Sequence, residues 1–369
     1  MELRELGPDD AGQADDLSRF AFGDERRGDV PAPWSGVSTG WGAFDGTRLV
    51  GAAYSQPYEQ WWGGRAVTMA GIAGVSVHPD ARGVGLAGRL VREVLARSGA
   101  ALSVLYPTAP AIYRGLGFEV VGTLDDTPVP LSALPRRGSP GVTVGAGTRE
   151  EVAGSYARIA PQVDGSMSRS GPSFPPEHPF LGRRDLLQVA RDEAGEVVGH
   201  LVLDRGRGYD GSSQLRVWEL MASTAASYRA LLASVGGWDS VAGTALWRGP
   251  VSELGLQVDG RLPAPSTRQA WMLAVLDLPA AVAQRGFRGS GSARFSVDGQ
   301  GWLLEAAQGS GTLRALPADG LPELAPRGLA LAFVGTPQDR LLRAGLLSEP
   351  VDGLDAVLAG PSPELRDYF

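Results

Sequence analysis

Apolar and polar positions in the first third of the chain alternate between the period of a strand and that of a helix. Residues 70–77 carry no charge and predict a buried strand, which proline, aspartate and glycine at residues 79–83 end. From Leu86 to Leu95 the apolar residues recur at three- to four-residue spacing, which predicts a helix with one buried face. Arg89 and Arg92 fall on the opposite face, where we expect them to meet solvent.

The same pattern predicts further elements on both sides of this strand and helix. We expect a strand at residues 3–6, a helix after Asp10, and a hairpin at Asp45-Gly46. Downstream, the additional elements are a strand at 102–106, a short helix at 109–116 and a strand at 118–121. Strands and helices thus alternate through residues 1–135, which indicates an α/β domain.

A second unit is predicted after a linker rich in proline, glycine and arginine. Thr148 and Glu151 have the spacing of a capping box, which starts a helix. Residues 194–201 repeat the pattern of residues 45–52. Residues 136–267 are therefore predicted to form a degenerate second copy of the first fold.

Residues 268–369 have a different pattern. A helix is predicted at residues 279–285, and turn-rich strands follow through residues 296–304. This combination predicts an α+β domain, so that the whole chain is a multidomain protein of α/β and α+β units.

Composition excludes several kinds of chemistry. The chain contains no cysteine, and all 34 of its basic residues are arginine, so thiolate, disulfide, Schiff-base and P-loop lysine chemistry are absent. The histidines are too far apart in the sequence for a metal site of the HExxH type, and no metal is expected; they are His78, His178 and His200.

Charge and hydropathy limit the partners. The net charge of -7 argues against a nucleic-acid role and favours a basic substrate. No apolar run approaches the roughly 18 residues of a membrane span, and the N-terminus lacks the pattern of a secretory signal. A cytoplasmic protein is therefore expected.

The most informative stretch joins the end of the predicted strand to the start of the predicted helix. Its glycines allow the backbone to turn N–H groups inward, and a helix N-terminus with inward amides binds a pyrophosphate. Arg82 adds a positive charge. The candidate binding residues here are Val75, Ser76, Val77, Arg82, Gly83, Val84, Gly85, Leu86, Ala87 and Gly88.

Gly83, Gly85 and Gly88 also match the dinucleotide fingerprint, so NAD binding is an alternative. In a Rossmann fold the glycine loop follows its strand directly, and an acidic residue ends the next strand. Here five residues intervene, and the next strand ends in Tyr106-Pro107. The context disfavours NAD.

Tyr113 precedes Gly117-Phe118, and the resemblance of this stretch to the end of a GNAT domain implies that Tyr113 is the acid. A phenol with a reference pKa of about 10 is protonated at neutral pH and is able to donate a proton to a departing thiolate. The alternative is that Tyr113 only packs the short helix.

These stretches resemble the acyl-CoA signature of the GNAT superfamily, Arg/Gln-x-x-Gly-x-Gly/Ala, at Arg82, Gly85 and Ala87. The resemblance implies that residues 75–77 splay from the neighbouring strand and pair with pantetheine, and that amides of residues 83–88 bind the pyrophosphate. It places Thr108 and Ala109 beside the acetyl-CoA, with Thr108 where serine is known.

Over its whole length the chain resembles the enhanced intracellular survival acetyltransferase family of actinobacteria. The resemblance rests on the second unit, whose residues 223–227 lack the glycine loop, on residues 268–281, and on the aromatic Phe369. It implies tandem GNAT folds followed by a sterol-carrier-like domain, and a homohexamer. Acetyl-CoA would be the co-substrate and an aminoglycoside, polyamine or lysine-type amine the acceptor. Gly83 departs from the family, which has arginine there.

In that family the terminal carboxylate serves as the base, which assigns this role to Phe369. An ammonium group has no lone pair, so a base must remove its proton before attack on a thioester. The alternative is a frayed terminus. For the whole protein, the alternative function is a non-catalytic CoA-sensing or apolar-ligand-binding protein.

Overall fold

The computed structural model describes residues 1–23, 37–174, 184–208, 210–258 and 261–369. Within these residues, twelve strands form one continuous sheet and three more form a second sheet. The elements are β1 (Glu2–Glu5), α1 (Ala11–Phe22), β2 (Thr39–Asp45), β3 (Arg48–Trp62), β4 (Arg65–Val77), α2 (Leu86–Ser98), β5 (Leu102–Leu105), α3 (Pro110–Arg114), β6 (Glu119–Pro130), β7 (Thr143–Ala146), α4 (Arg149–Ile159), β8 (Leu186–Arg191), β9 (Val197–Asp204), β10 (Gln214–Ala222), α5 (Ala225–Gly236), β11 (Thr244–Arg248), α6 (Ser252–Gly255), β12 (Thr267–Val275), α7 (Leu278–Gln284), β13 (Gly291–Val297), β14 (Gln300–Ala307), β15 (Ser310–Leu316), α8 (Pro326–Phe333), α9 (Gln338–Arg343) and α10 (Leu354–Val357).

The N-terminal half of the large sheet is antiparallel from β1 to β4, and β5 then lies parallel to β4. Asp45 pairs with Arg48 across the β2–β3 turn, which confirms the predicted hairpin. Helix α2 buries Leu86, Leu90 and Val94, because their spacing places them on one face. That face packs in the same core as residues of β2, β3 and β5.

The second half of the sheet repeats this arrangement. Strands β7 to β10 are antiparallel, and β10 and β11 form a parallel pair like that of β4 and β5. The capping box of Thr148 and Glu151 starts α4, as the sequence predicts. The fold is therefore a tandem α/β arrangement, and the repeat seen in the sequence corresponds to a repeated topology.

Strand β12 joins the two halves. It lies between β5 and β6 and is antiparallel to both, while β6 continues the sheet through β11. The predicted boundary at residue 268 falls at the start of β12 and so separates this strand from its hydrogen-bonding partners. A sequence pattern gives the period of a strand but not its partners. The division into 1–135, 136–267 and 268–369 stays a prediction.

The C-terminal part contains the small antiparallel sheet of β13, β14 and β15. Its core includes Phe295, Leu304, Leu329 and Leu341, contributed by the sheet and by α8 and α9. Strands and helices segregate here as the α+β prediction requires. Within the described residues, no helix is long and apolar enough to cross a membrane.

Candidate functional site

Strands β4 and β5 diverge before β4 ends. Their parallel pairing covers Met69 to Gly71, whereas β4 continues to Val77 paired with β3 alone. The register between β3 and β4 shifts near Gly74, which has a φ of +58°, so one extra residue bulges from β4. The end of β4 therefore faces an opening instead of a neighbouring strand.

A cavity of about 870 Å³ occupies this opening. Its lining includes every residue predicted to bind the cofactor, together with Tyr113, but not Phe369. The lining residues from the sequence prediction are Val75, Ser76, Val77, Arg82, Gly83, Val84, Gly85, Leu86, Ala87, Gly88, Thr108, Ala109 and Tyr113.

The glycine loop shapes one wall of this cavity. Gly83 and Gly85 have φ values of +83° and +72°, and no other group lies within 4 Å of where their side chains would project. Gly85 is the residue before α2, whose first N–H groups have no partner inside the helix. The Nε of Arg82 donates to the carbonyl oxygen of Val77 at 3.1 Å and so links the loop to the strand end. This wall is a donor-rich concave surface suited to an anion.

Several cavity residues were not singled out from the sequence. Arg89 and Arg92 line it from the exposed side of α2, where the pattern predicted only solvent. They are indeed exposed, but the cavity opens on the same side. Ala21, Phe22 and Ile112 complete the wall. A helical pattern identifies the exposed face and gives no signal for an adjoining cavity.

Tyr113 lies on α3, is buried, and faces both the cavity and the core. Its ring meets that of Phe118 edge-on, with 6.1 Å between centroids. Burial raises the pKa of Tyr113 above that of an ordinary phenol. The hydroxyl therefore keeps its proton at neutral pH, as a general acid must.

Phe369 lines a second cavity, of about 310 Å³. Its ring centroid is 5.1 Å from that of Tyr58 and 5.8 Å from that of Tyr106. The hydroxyl of Tyr106 donates to the carbonyl oxygen of Asp367 at 2.7 Å. Leu365 is buried as well. The tail is held in the fold and is not a frayed end.

Phe369 packs against β4 where β4 separates from β5. A Cβ atom at Gly71, the last residue of β4 that pairs with β5, would lie 2.8 Å from Cε2 of Phe369. Tyr106 contacts the tail, whereas Thr108 lines the larger cavity. Two residues of extended chain span at most about 7 Å. Phe369 thus lies close to the larger cavity without lining it.

A buried ionic network fixes the tail. Arg169 forms a bidentate pair with Glu219 at 3.0 and 2.7 Å, and its Nε lies 3.0 Å from Oδ1 of Asp367. Glu219 also bonds His200, and Arg169 stacks on the ring of Tyr156 at 3.8 Å. The Arg169 guanidinium and His200 hold the pKa of Glu219 well below its usual range despite burial. The network joins the tail to the second half of the sheet.

The described histidines are already engaged. His78 forms a hydrogen bond with Arg48 at 2.8 Å and stacks on Phe20. His200 is buried and forms hydrogen bonds with Ser155 and Glu219, which are buried as well. His178 lies outside the described residues. Within them, no cluster of three His, Cys, Asp or Glu side chains is placed to hold a metal ion.

Comparison with known proteins agrees with this geometry. The sequence model of the acetyltransferase (GNAT) domain matches residues 2–121, which include the glycine loop and Tyr113. A GCN5-related N-acetyltransferase from Kribbella flavida is 30% identical, with 100% of this chain and 98% of that chain covered and a TM-score of 0.83. The chain belongs to the GCN5-related N-acetyltransferase (GNAT) family.

Other solved structures share the fold of this GNAT protein over its full length. A GCN5-related N-acetyltransferase from Anabaena variabilis is 20% identical with a TM-score of 0.87, and both chains are covered completely. Eis1 from Mycobacterium abscessus is 20% identical with a TM-score of 0.80, again with complete coverage of both. At this level of identity the likeness concerns the fold. No curated protein sequence matches the GNAT protein significantly.

Proposed function

We propose that this GNAT protein is an acetyl-CoA-dependent N-acetyltransferase of the enhanced intracellular survival type, acting on amines by direct attack on the thioester. The observation that carries the proposal is the single cavity that brings together the open end of β4, the glycine loop and Tyr113. The loop offers backbone N–H groups to a pyrophosphate, and the edge of β4 that β5 leaves open offers backbone groups to the amides of the same ligand. A buried phenol at the same cavity suits protonation of a leaving group.

Different residues of the cavity would bind different parts of acetyl-CoA. Amides of residues 83–88 and the charge of Arg82 would hold the pyrophosphate. Backbone groups of Val75, Ser76 and Val77 would pair with the pantetheine amides, because β5 does not occupy that edge. Thr108 and Ala109 would contact the acetyl end. Arg89 and Arg92 add positive charge at the open side.

The reaction removes two protons from the acceptor nitrogen and adds one to the sulfur. The α-carboxylate of Phe369 would take the first proton from the acceptor ammonium, directly or through water, which frees the nitrogen lone pair. That pair forms the C–N bond while the C–S bond of the thioester breaks, and the nitrogen then loses its second proton to water. The hydroxyl of Tyr113 would give its proton to the sulfur and regain one from water. Acetyl-CoA supplies the activated acyl group.

Other features of the proposal rest on the family resemblance. They are a homohexameric cytoplasmic protein, three units bounded at residues 135 and 267, a sterol-carrier-like third unit, and aminoglycoside, polyamine or lysine-type acceptors.

An acceptor screen tests the proposed activity. The full chain with acetyl-CoA and a panel of amines should release free thiol, and mass spectrometry should detect acetylated amine. Calorimetric titration compares the affinity of the chain for acetyl-CoA with its affinity for NAD. Binding of CoA without any product would favour the CoA-sensing alternative, and binding of NAD instead would favour the dinucleotide alternative.

Replacing Tyr113 by phenylalanine should lower kcat by about 100-fold or more and leave acetyl-CoA affinity unchanged, because only the proton donor is lost. Thiol release measures the turnover, and calorimetry measures the affinity for acetyl-CoA. Tyr54→Phe is the matched control, since Tyr54 is buried in the same half of the sheet but does not line the cavity. Equal turnover in the two variants would make Tyr113 a packing residue.

A further inference from the structure

One face of α2 continues the wall of the larger cavity beyond the glycine loop. Gly88, Arg89 and Arg92 follow Gly85 by three, four and seven residues, a spacing that places all four on the same side of a helix. All four line the cavity. The first turn of this face is therefore bare backbone, and the second turn carries two guanidinium groups.

The two arginines reach back toward the glycine loop. Side chains on an α-helix lean toward its N-terminus, so that a long side chain covers the turn before its own. Arg89 and Arg92 are exposed, yet both belong to the cavity lining. Their guanidinium groups are thus placed beside the amides of residues 83–88 and not at the distant end of the helix.

The cavity carries positive charge that the protein does not neutralise. Among the residues that the structure describes, its charged lining residues are Arg82, Arg89 and Arg92, and none of the lining is acidic. None of the three pairs with a carboxylate in the described part of the chain, although Arg82 donates to a backbone carbonyl. Glu93, the acidic residue of α2, pairs with Arg97 at 2.6 Å instead. The charge of this wall is therefore available to an anionic ligand.

Exposed apolar side chains lie beside this charge. Phe22, Val84 and Ile112 are 46%, 57% and 37% exposed, and each lines the same cavity. A Cβ atom at Gly88 would lie 4.0 Å from Cγ2 of Ile112, which places Ile112 against the face of α2 that carries the arginines. Apolar side chains left exposed at a cavity favour a ligand that covers them, and the flat face of a nucleobase does so.

We propose that Arg89 and Arg92 bind the 3′-phosphate of the cofactor and so make the protein selective for CoA over dephospho-CoA. The inference rests on the proposed binding of acetyl-CoA and names the residues that select its nucleotide end. A phosphomonoester carries about two negative charges at neutral pH. A guanidinium group matches its oxygens with two parallel N–H donors.

The fold separates this phosphate from the pyrophosphate. The pyrophosphate has the loop amides and Arg82, which its bond to the end of β4 holds at the loop. Arg89 and Arg92 lie one turn further along α2, on the face against which Ile112 packs. In CoA the 3′-phosphate is attached to the ribose that joins the pyrophosphate to adenine. A cofactor that reaches from the loop to Ile112 therefore brings its 3′-phosphate to the two arginines.

Calorimetry of the full chain with CoA and with dephospho-CoA tests the inference, because the two ligands differ only in the 3′-phosphate. We expect CoA to bind about 10-fold more tightly, since the two guanidinium groups lose a doubly charged partner in dephospho-CoA. A higher salt concentration should reduce this ratio, because exposed charges are screened.

Arg89→Gln and Arg92→Gln should each reduce the ratio of the two affinities by about threefold, and the double variant should bring it near one. Glutamine preserves the helix, because its helix propensity is close to that of arginine. Arg82→Gln should weaken both ligands alike, since Arg82 is assigned to the pyrophosphate that they share. Arg340→Gln is the matched control, because it removes the same charge from an exposed position of α9, outside the cavity.

A preference for CoA that disappears in the double variant, and persists in Arg340→Gln, supports the inference. Equal affinity of the unaltered protein for the two ligands, or a preference that the double variant keeps, overturns it. An equal loss for both ligands in Arg89→Gln and Arg92→Gln overturns it as well, because the arginines would then contact the shared pyrophosphate.

The acceptor screen distinguishes this inference from the proposed function. Acetyl transfer without any preference for CoA overturns the inference and leaves the proposed function in place. A preference that depends on Arg89 and Arg92, without any acetylated amine, supports the inference and overturns the proposed transfer. Absence of CoA binding overturns both.

Discussion

Adding one glycine after Phe369 should lower kcat by about 100-fold. Every side chain of the tail is kept, and Asp367 keeps its bonds to Tyr106 and Arg169. The terminal carboxylate, however, moves by about 3.5 Å, which is enough to spoil a proton-transfer geometry that requires hydrogen-bond distance. The KM for acetyl-CoA should not change, because Phe369 does not line the cofactor cavity.

Steady-state kinetics with saturating acetyl-CoA measures this effect. Tyr368→Phe is the control, since it alters the tail at the exposed neighbouring side chain and leaves the terminal carboxylate in place. A thermal melt of each variant verifies that the tail remains docked. Unchanged kcat in the extended protein would show that the acceptor proton leaves through water alone.

Replacing Gly85 by glutamate should weaken acetyl-CoA binding by more than about 100-fold. The added carboxylate would project into space where no atom lies within 4 Å, beside the N-terminus of α2. There it would occupy and repel the site of the pyrophosphate. A φ of +72° also strains any L-residue by about 1–2 kcal/mol.

Gly99→Glu is the control that distinguishes the effect of a charge in the cavity from the effect of backbone strain. Gly99 follows the other end of α2, has a φ of +62°, and also has open space where a side chain would project. Calorimetry with acetyl-CoA should therefore show near-normal affinity for Gly99→Glu and none measurable for Gly85→Glu. Equal losses in both variants would mean that the helix, and not the loop, had been damaged.

Local patterns predicted the elements that line the larger cavity. The spacing of Leu86, Leu90 and Val94 identified the buried face of α2, and the glycines after Val77 identified the loop. These signals are strong because they lie within one turn of helix or one strand. Strand lengths were less predictable: β4 begins at Arg65 and β6 extends to Pro130, beyond the apolar runs that marked them.

Tertiary proximity was not predictable in the same way. Trp218 and Arg248 belong to the second half of the sheet, yet they line the cavity of Phe369, and no local period connects them to the tail.

The position of β12 has a consequence for how the protein must fold. Leu102 of β5 pairs with Val275, and Glu119 of β6 pairs with Leu273, so β5 and β6 are joined within the sheet by a segment made much later in synthesis. Such long-range closure slows folding, because the entropy of the intervening chain is lost before its contacts form. A nascent chain released before residue 275 would display unpaired edges on β5 and β6, which are templates for aggregation. We therefore expect the N-terminal half of the sheet to be insoluble when it is expressed alone.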